Sequence, residues 1–408
     1  MLDTLPNIRH LRAFAEVAEA HSISAAAERI FLSQSAITQA IKKLEVHFAT
    51  DLFLRRHNGM FLTDAGQLLQ RRVYRCMAFL RGGVREAMRI GDRKLEGSRV
   101  AGQPHTLISN AQLRSLFALQ NATSYSVAAR LIGVSQPALY RSAGELEDLL
   151  NTLLYEKTSA GISLTRAALR LVRACRLAVK EIEQAMDELS EFRGADSSQI
   201  LVGSMPLART YILPSAINGL ARFKPEVRVG VIEGPYDDLL QRLLHGEVDV
   251  LIGALREPAP STDILQERLF STELSVVARR GHPLDGKTGL TLEDLAPYRW
   301  VVPRSGTPAR RLFEQIIASH LPSAQVGLVE CSSQVVIREL LLGSDRLTFI
   351  SSHQIEHEQK EGILTVLDTE LERPARPIGI TIRKDWQPTT TQRLFISMLR
   401  DLSTGLKR

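Results

Sequence analysis

Apolar residues recur at helical spacing in the first 50 positions and predict three helices. Leu11, Phe14 and Val17 line one face of the first helix. Ser24 is expected to cap a short second helix, in which three alanines at residues 25–27 allow close packing. Ser33 is expected to cap a third helix that runs to about residue 47.

The third helix has sharply different inner and outer faces. Its inward positions are Ala36, Ile37, Ala40, Ile41 and Leu44. Its outward positions are Gln34, Ser35, Thr38, Gln39, Lys42 and Lys43. The outer face is therefore entirely polar or basic.

A hairpin and a long helix follow. Residues 51–56 and 60–63 predict two short strands joined around His57-Asn58-Gly59, where Asn-Gly supplies the positive φ of a tight turn. Residues 64–92 predict one long amphipathic helix. Helix, helix, turn, helix and hairpin make a winged helix-turn-helix. This module binds DNA because a helix fits the major groove while basic groups of the wing meet phosphates.

The whole pattern occurs twice. A shift of 102 positions aligns residues 11–72 with 113–174 without a gap, and about one pair in three is identical. A second long helix is predicted at residues 166–193. We expect the two long helices to pack against each other within one chain.

The second copy has lost positive charge. Gly144 and Glu145 stand where the first copy has Lys42 and Lys43, and Lys157-Thr158 replaces Arg55-Arg56. Fewer phosphate contacts mean weaker binding to DNA. Two interpretations stay open: a degenerate copy used for packing or modest phosphate contact, and a true second reader.

After residue 198 the pattern changes to strands that alternate with amphipathic helices. Strands are predicted at residues 200–203, 228–233, 248–253, 274–279, 299–302, 325–330, 347–351, 364–367 and 378–383. Helices are predicted near residues 210–223, 237–245, 309–319, 333–342 and 390–403. This alternation favours an α/β fold, and about 205 residues suit two lobes.

Charge is unevenly distributed along the 408 residues. Residues 1–195 hold 26 basic and 19 acidic side chains, whereas residues 196–408 hold 25 and 26. Residues 71–103 alone carry nine basic and three acidic groups, which are interpreted either as a solvated helix face or as partly DNA-proximal. The basic half of the chain is thus the half with the two helix-turn-helix patterns.

Cysteine usage and the N-terminus bear on location. Cys76, Cys175 and Cys331 lie far apart and favour neither a zinc site nor a disulfide framework. The first residues lack the features of a signal peptide, and no apolar run reaches the ~18 residues needed to cross a bilayer. We expect a cytoplasmic protein without membrane contact.

Residues 8–66 closely resemble the N-terminal domain of LysR-type transcriptional regulators. The shared motifs are AAAER at residues 25–29, SQSAIT at 33–38 and LTDAG at 62–66, with Ser35 where the family usually has proline. The resemblance implies binding to double-stranded promoter or operator DNA through Ser33, Gln34, Ser35, Thr38, Gln39, Lys42, Arg55 and Arg56. The long helix is the family's dimerisation linker, so a homo-oligomer, a dimer or a tetramer, is also implied.

The C-terminal half resembles the effector domain of the same family, which has a two-lobed fold like that of periplasmic binding proteins. The similar segments include GEVDVLIG at residues 246–253 and RGHPL at 280–284. In this fold a ligand sits between the lobes at strand-to-helix turns. The candidates by position are Ser204, Arg209, Arg304, Thr307, Ser332 and Ser333. Serines plus an arginine suit an organic acid or a sugar acid, although Thr307 and Ser333 are also placed to cap helices, and Arg209 to form a surface ion pair.

Catalytic motifs are absent from the sequence. Ser204 is not in a G-x-S-x-G context, and no phosphate-binding glycine loop occurs. His353 and His357 have metal-binding spacing without the H-E-x-x-H pattern, which favours a solvated polar turn. We expect no enzyme activity, no metal and no cofactor. The alternatives are a solute-binding or oligomerisation protein without DNA function and a metal-assisted hydrolase.

The expected fold class is therefore α/β with two N-terminal all-α winged helix-turn-helix copies. The boundaries are a reader at residues 8–66, a linker helix and flexible join at 67–103, a second reader at 110–168, a linker at 169–195 and a two-lobed effector domain at 198–403.

Overall fold

The structure is a computed structural model that describes residues 5–93, 102–159, 161–195, 197–373 and 375–405. It divides into two compact units, Met1–Ser198 and Gln199–Arg408. Residues 94–101, the centre of the expected flexible join, lie outside the described residues. Among the described helices, none combines the length and apolar character needed to span a bilayer.

The first repeat, here called copy one, contains every element that the pattern predicts. It consists of α1 (Ile8–Ala20), α2 (Ile23–Ile30), α3 (Gln34–Phe48), β1 (Phe53–Arg56), β2 (Gly59–Leu62) and α4 (Asp64–Ile90). Ser33 caps α3 as predicted, since its hydroxyl accepts a hydrogen bond from the Ala36 amide at 3.2 Å. The predicted cap of α2 is wrong: Ser22 accepts from the Ala25 amide, and Ser24 lies inside the helix.

The turn of the wing differs from the predicted one. Arg56 pairs with Gly59, so the two turn residues are His57 and Asn58. Gly59 has φ +140°, and a Cβ there would lie 2.5 Å from the carbonyl oxygen of His21. Glycine is therefore required by this close approach, rather than by an Asn-Gly turn.

The second repeat, here called copy two, has the same architecture. It consists of α5 (Asn110–Gln120), α6 (Tyr125–Ile132), α7 (Gln136–Leu150), β3 (Tyr155–Thr158), β4 (Gly161–Leu164) and α8 (Arg166–Phe192). Ser135 caps α7 with φ −71° and ψ 148°, close to the −73° and 151° of Ser33 in copy one. Copy two therefore keeps the order of elements and this helix cap, although its first helix ends two residues earlier than the equivalent helix of copy one.

The two long helices α4 and α8 pack antiparallel within one chain, which confirms the predicted pairing. A Cβ at Gly83 would lie 2.2 Å from the Cβ of Ala174, and a Cβ at Gly91 would lie 2.8 Å from that of Ala167. Gly82, by contrast, faces open space. One apolar core continues through both copies, because the apolar stripes of α4 and α8 face each other.

Each linker helix ends against the other copy. The Asp92 carbonyl, just after α4, accepts a hydrogen bond from the Leu153 amide of copy two at 2.9 Å. Arg193, just after α8, donates to the Phe48 carbonyl of copy one at 2.6 Å. The two copies are thus tied to opposite ends of one helix pair.

The C-terminal unit has two lobes, as predicted, each built on a five-stranded mixed sheet. Its strands are β5 (Gln199–Ser204), β6 (Arg228–Glu233), β7 (Val250–Ala254), β8 (Ile264–Thr272), β9 (Leu274–Arg279), β10 (Trp300–Val302), β11 (Val329–Glu330), β12 (Leu347–Ser351), β13 (Leu364–Val366) and β14 (Arg376–Arg383). Its α-helices are α9 (Ile212–Phe223), α10 (Tyr236–Leu244), α11 (Leu292–Leu295), α12 (Pro308–Phe313), α13 (Gln334–Leu342), α14 (Glu356–Lys360) and α15 (Thr390–Gly405).

The order of the strands shows where the two lobes meet. Lobe one has the order β6-β5-β7-β14-β8 and lobe two the order β11-β10-β12-β9-β13. The chain crosses from lobe one to lobe two between β8 and β9 and returns between β13 and β14. Residues at the ends of these four strands therefore lie where the lobes meet.

Two strand predictions need correction. β8 was not predicted because charged residues interrupt its apolar pattern, which is tolerated since β8 is an edge strand with an irregular pairing to β14. The strand expected at residues 325–330 is reduced to Val329–Glu330, because a 3₁₀ turn occupies Pro322–Gln325.

Candidate DNA interface and ligand cleft

The outer face of α3 is exposed along its whole length. Ile37, Ala40, Ile41 and Leu44 are buried, as predicted. The exposed side chains are Ser33, Gln34, Ser35, Thr38, Gln39, Lys42 and Lys43. Ser35 fits the first turn without the usual proline, since its hydroxyl lies 3.0 Å from that of Ser33. This exposed face can therefore enter the major groove of DNA, which is wide enough to admit an α-helix.

The wing adds positive charge beside this helix. Arg55 and Arg56 are exposed on β1, and the Arg56 guanidinium lies 5.6 Å from the centre of the Phe61 ring. An open cavity of about 450 Å³ lies between the start of α2 and the wing, where Ser22, Arg55 and His57 are among its lining residues. A helix start and two guanidinium groups around one cavity suit a phosphate.

The matching face of copy two is exposed but differently equipped. Tyr140 and Arg141 are exposed on α7, where Tyr140 makes an edge contact with Tyr125 at 5.0 Å between ring centres. Glu145 and Lys157 are also exposed. At equivalent positions, Arg141 replaces Gln39 of copy one and Glu145 replaces Lys43.

A buried charge cluster joins the two linker helices. Arg72 of α4 donates to Glu188 through Nη2 at 2.5 Å and Nε at 3.1 Å, and to Glu181 through Nη1 at 2.9 Å. Arg75 pairs with Glu181 at 2.8 Å, and Gln184 accepts from Arg72 at 3.2 Å. Only 4% of the Arg72 and Glu181 side chains is exposed, so this pairing is largely shielded from water.

At the equivalent place on the other side of the helix pair, the described residues have no arginine. The position equivalent to Arg72 in copy two is Ala174, which meets Gly83 in a tight apolar contact. Burial acts to lower the pKa of Arg72, but its bonds to Glu188 and Glu181 outweigh this and raise that pKa. The linker pair is therefore chemically asymmetric, with an ion cluster on one side and small residues on the other.

This cluster divides the basic stretch at residues 71–103 into two groups. Arg72 and Arg75 point into the linker contact. Arg71, Arg81, Arg85 and Arg89 are exposed on the outer face of α4. The stretch is thus neither wholly solvated nor wholly available to DNA.

The predicted effector residues fall into three places around the lobes. Ser204 is fully buried at the end of β5, and Arg209 donates to its carbonyl at 2.9 Å and pairs with Glu233 at 3.2 Å. Thr307 and Ser333 cap α12 and α13. Arg304 is exposed and Ser332 half-buried. Ser204 and Arg209 contact each other, while no described contact joins them to the other four.

A cationic cluster at the lobe junction was missed by the sequence analysis. Burial and then the charge of Arg256 lower the pKa of Arg376 to about 10. Its Nε is buried without a hydrogen-bond partner among the described residues. Arg256 lies over the Tyr236 ring at 4.4 Å. Burial lowers the pKa of Arg256, Tyr236 and Asp237 raise it in part, and the nearby charge of Arg311 lowers it further. Like charges in a poorly hydrated place favour an anionic ligand.

One signal could have found part of this cluster. Ser204 and Arg304 were selected because each lies at or just after the end of a strand. Arg256 meets the same rule, since it follows the end of β7 by two residues. Arg376 begins a strand, where the rule does not apply.

His353 also lies at the lobe junction rather than in a solvated turn. Its Nδ1 is 3.1 Å from the Thr272 hydroxyl, and its carbonyl accepts from Thr210 at 3.1 Å. His357 belongs to α14 and is exposed. Within the described residues, no group of three or more potential ligands could hold a metal.

Comparison with protein-family profiles gives matches over most of the chain. A profile described as "Bacterial regulatory helix-turn-helix protein, lysR family" matches residues 8–67 and again residues 111–169. A profile described as "LysR substrate binding domain" matches residues 193–403. Both copies therefore match the same helix-turn-helix profile.

Among curated proteins, the transcriptional regulator GalR of Pseudomonas putida is 38% identical over 384 residues, which are 94% of this chain and 94% of that protein. The regulator PcaQ of Agrobacterium fabrum is 29% identical over 68% of this chain and 90% of its own length. GalR thus matches a chain of this length, whereas PcaQ leaves about a third of it unmatched.

Two solved structures share the fold. A full-length OxyR variant from Pseudomonas aeruginosa aligns with a TM-score of 0.52 and 24% identity, over 71% of this chain and 97% of that chain. Full-length CbnR in complex with its target DNA aligns with a TM-score of 0.51 and 19% identity, over 71% of this chain and 98% of that chain.

Proposed function

The chain belongs to the LysR family of transcriptional regulators, and on that basis we propose that copy one reads promoter DNA while the C-terminal unit senses a small organic anion. Its relatives are transcriptional regulators, and like them the protein is a ligand-responsive DNA-binding regulator and not an enzyme. The observation that carries the DNA part is the uncovered polar face of α3 beside a basic wing. The roles of individual residues are the proposal.

We propose different duties for the two parts of the DNA surface. Thr38 and Gln39 lie in the middle of the exposed face of α3, where short polar side chains reach base edges. Lys42, Arg55 and Arg56 are long cations at its margin, where they meet phosphates. Ser33, Gln34 and Ser35 form the helix start, whose amides favour a phosphate oxygen.

The effector is proposed to be an organic acid or a sugar acid bound at the lobe junction. Arg256 and Arg376 supply positive charge at one place, and a ligand carboxylate would neutralise it. Ser204, Arg209, Arg304, Thr307, Ser332 and Ser333 stay proposed as further polar contacts at the surrounding turns. Closure of the lobes on the ligand would then select one arrangement of the readers.

Arg376→Met tests the effector proposal. A panel of small carboxylates and aldonates, scored by thermal shift of the full chain, should include compounds that stabilise the native protein. Loss of a charged hydrogen bond should weaken their binding to the variant roughly 10- to 150-fold. Arg222→Met is a matched control, since Arg222 is exposed on α9. Equal stabilisation of the native and Arg376→Met proteins would contradict the assignment.

Location and assembly follow from the same proposal. A regulator of this kind acts in the cytoplasm, where chromosomal DNA lies. Since α4 and α8 already pair within one chain, any association into a dimer or a tetramer has to use other surfaces.

A further inference from the structure

We propose that copy two is a second DNA reader with a different base preference, so that one chain binds an operator of two unequal half-sites in one orientation. Arg141 is the residue that sets this second preference. The inference rests on the proposed reading of DNA by copy one, and it chooses between the two interpretations that the sequence leaves open.

The first observation is that copy two keeps an uncovered reading face. Its α7 begins at the same kind of cap and has the same length as α3, from Gln136 to Leu150. Leu139, Ala143 and Leu146 are buried, as their counterparts in α3 are. The outward side chains at Gln136, Pro137, Tyr140 and Arg141 are exposed. Packing against copy one uses α8, the start of α5 and the segment that follows α7, so it does not require this face.

The second observation is that the side chains at equivalent positions have different base chemistry. Gln39 of copy one corresponds to Arg141 of copy two in the gapless alignment. Glutamine pairs with two atoms of adenine in the major groove, whereas arginine pairs with two acceptors of guanine. No described residue pairs with the Arg141 side chain, which leaves both of its outer nitrogen atoms available. The two helices therefore select different bases at equivalent depth in the groove.

The neighbouring position strengthens the difference. Thr38 of copy one corresponds to Tyr140, whose ring is held at its edge by Tyr125 and remains 63% exposed. An aromatic ring at this place offers a wide apolar surface to a thymine methyl group and carries its hydroxyl farther from the helix than threonine does.

Charge makes the second half-site the weaker one. Copy one presents Lys42, Lys43, Arg55 and Arg56 around its helix, whereas the same positions of copy two are Gly144, Glu145, Lys157 and Thr158. Three of four cations are lost and one acid is added. Copy two therefore contributes specificity with fewer phosphate contacts.

The linker pair fixes the order of the two half-sites. Asp92 holds the end of α4 against copy two, and Arg193 holds the end of α8 against copy one. Because both contacts lie within one chain, a strong reader is always joined to a weak reader at one separation. The operator should therefore be asymmetric, with its two halves on one face of the duplex.

Selection from a randomised double-stranded DNA library on the full-length protein tests this inference. The native protein should select two half-sites of unequal information content. Arg141→Gln, which places the copy-one residue in copy two, should shift the weaker half-site from guanine towards adenine. Affinity for the guanine-containing site should fall roughly 5- to 150-fold, while the stronger half-site keeps its sequence. Arg130→Gln, an exposed arginine of α6, is the matched control and should leave both base preferences unchanged.

The outcomes separate this inference from the proposed function. Failure of the native protein to select any DNA sequence would contradict the proposed function itself. Two identical half-sites, or unequal half-sites that Arg141→Gln leaves unchanged, would overturn the second reader and leave copy one as the proposed reader.

Discussion

Replacing Arg72 with alanine should destabilise the N-terminal unit by about 3–5 kcal/mol, because Glu181 and Glu188 would remain buried without their main cation. Arg75 would still contact Glu181, so the loss is largest at Glu188, which Arg72 holds through two nitrogen atoms. The loss should also separate α4 from α8, since the cluster lies in their contact.

Thiol reactivity measures this separation more specifically than global unfolding does. Cys76 and Cys175 are fully buried on α4 and α8, and burial raises the pKa of Cys175 to about 12. Such thiols react only when the helices open, so Arg72→Ala should accelerate their modification roughly 150- to 4,000-fold. Every variant should also carry Cys331→Ser, because the partly exposed Cys331 thiol would react without any opening of the helices.

The neighbouring arginine is the control for this experiment. Arg71 is exposed, and Arg71→Ala makes the same change in net charge without touching the cluster. Equal thiol reactivity in the two variants would mean that the Arg72 cluster does not hold the linkers together.

Removing Lys42, Arg55 and Arg56 together should weaken DNA binding about 100-fold at physiological salt. Each lost phosphate contact should flatten the slope of log K against log salt by about 0.9, so the slope should fall by about 2.7. Titration of the full chain against selected operator DNA at several salt concentrations measures both quantities.

A triple variant of α4 is matched in charge to this one. Arg81, Arg85 and Arg89 are exposed and lie one turn apart on the outer face of the linker, so their replacement by alanine removes the same three charges. This control should change the slope far less. An equal loss of slope in both variants would show that net charge, and not the face of copy one, governs binding.

Much of the architecture could be predicted because the sequence repeats itself. Ser33, Gln34 and Gly59 recur 102 positions later, and both copies fold into the same series of elements. Apolar stripes of matching length also predicted that α4 would pair with α8. These features depend on local periodicity and on residue identity, which a single sequence displays.

Other features depend on contacts between distant residues, and these were not predictable. Ser22 and Ser24 are both acceptable caps in sequence, and the tertiary packing of α2 decides between them. Arg72 looks like one of nine basic residues in its stretch until Glu181 and Glu188 are placed beside it. Arg256 and Arg376 are 120 positions apart, and only the return of β14 to lobe one brings their charges together.

A single engineered disulfide tests most directly whether the two readers pair within one chain. Arg93 and Thr152 form an antiparallel bridge across the end of α4, a pairing that places Cα atoms about 4.5–5.5 Å apart and suits a disulfide. Arg93→Cys combined with Thr152→Cys, in the Cys331→Ser background, should oxidise to a species with the mass of one chain on a non-reducing gel. A disulfide-linked species with the mass of two chains would contradict the account.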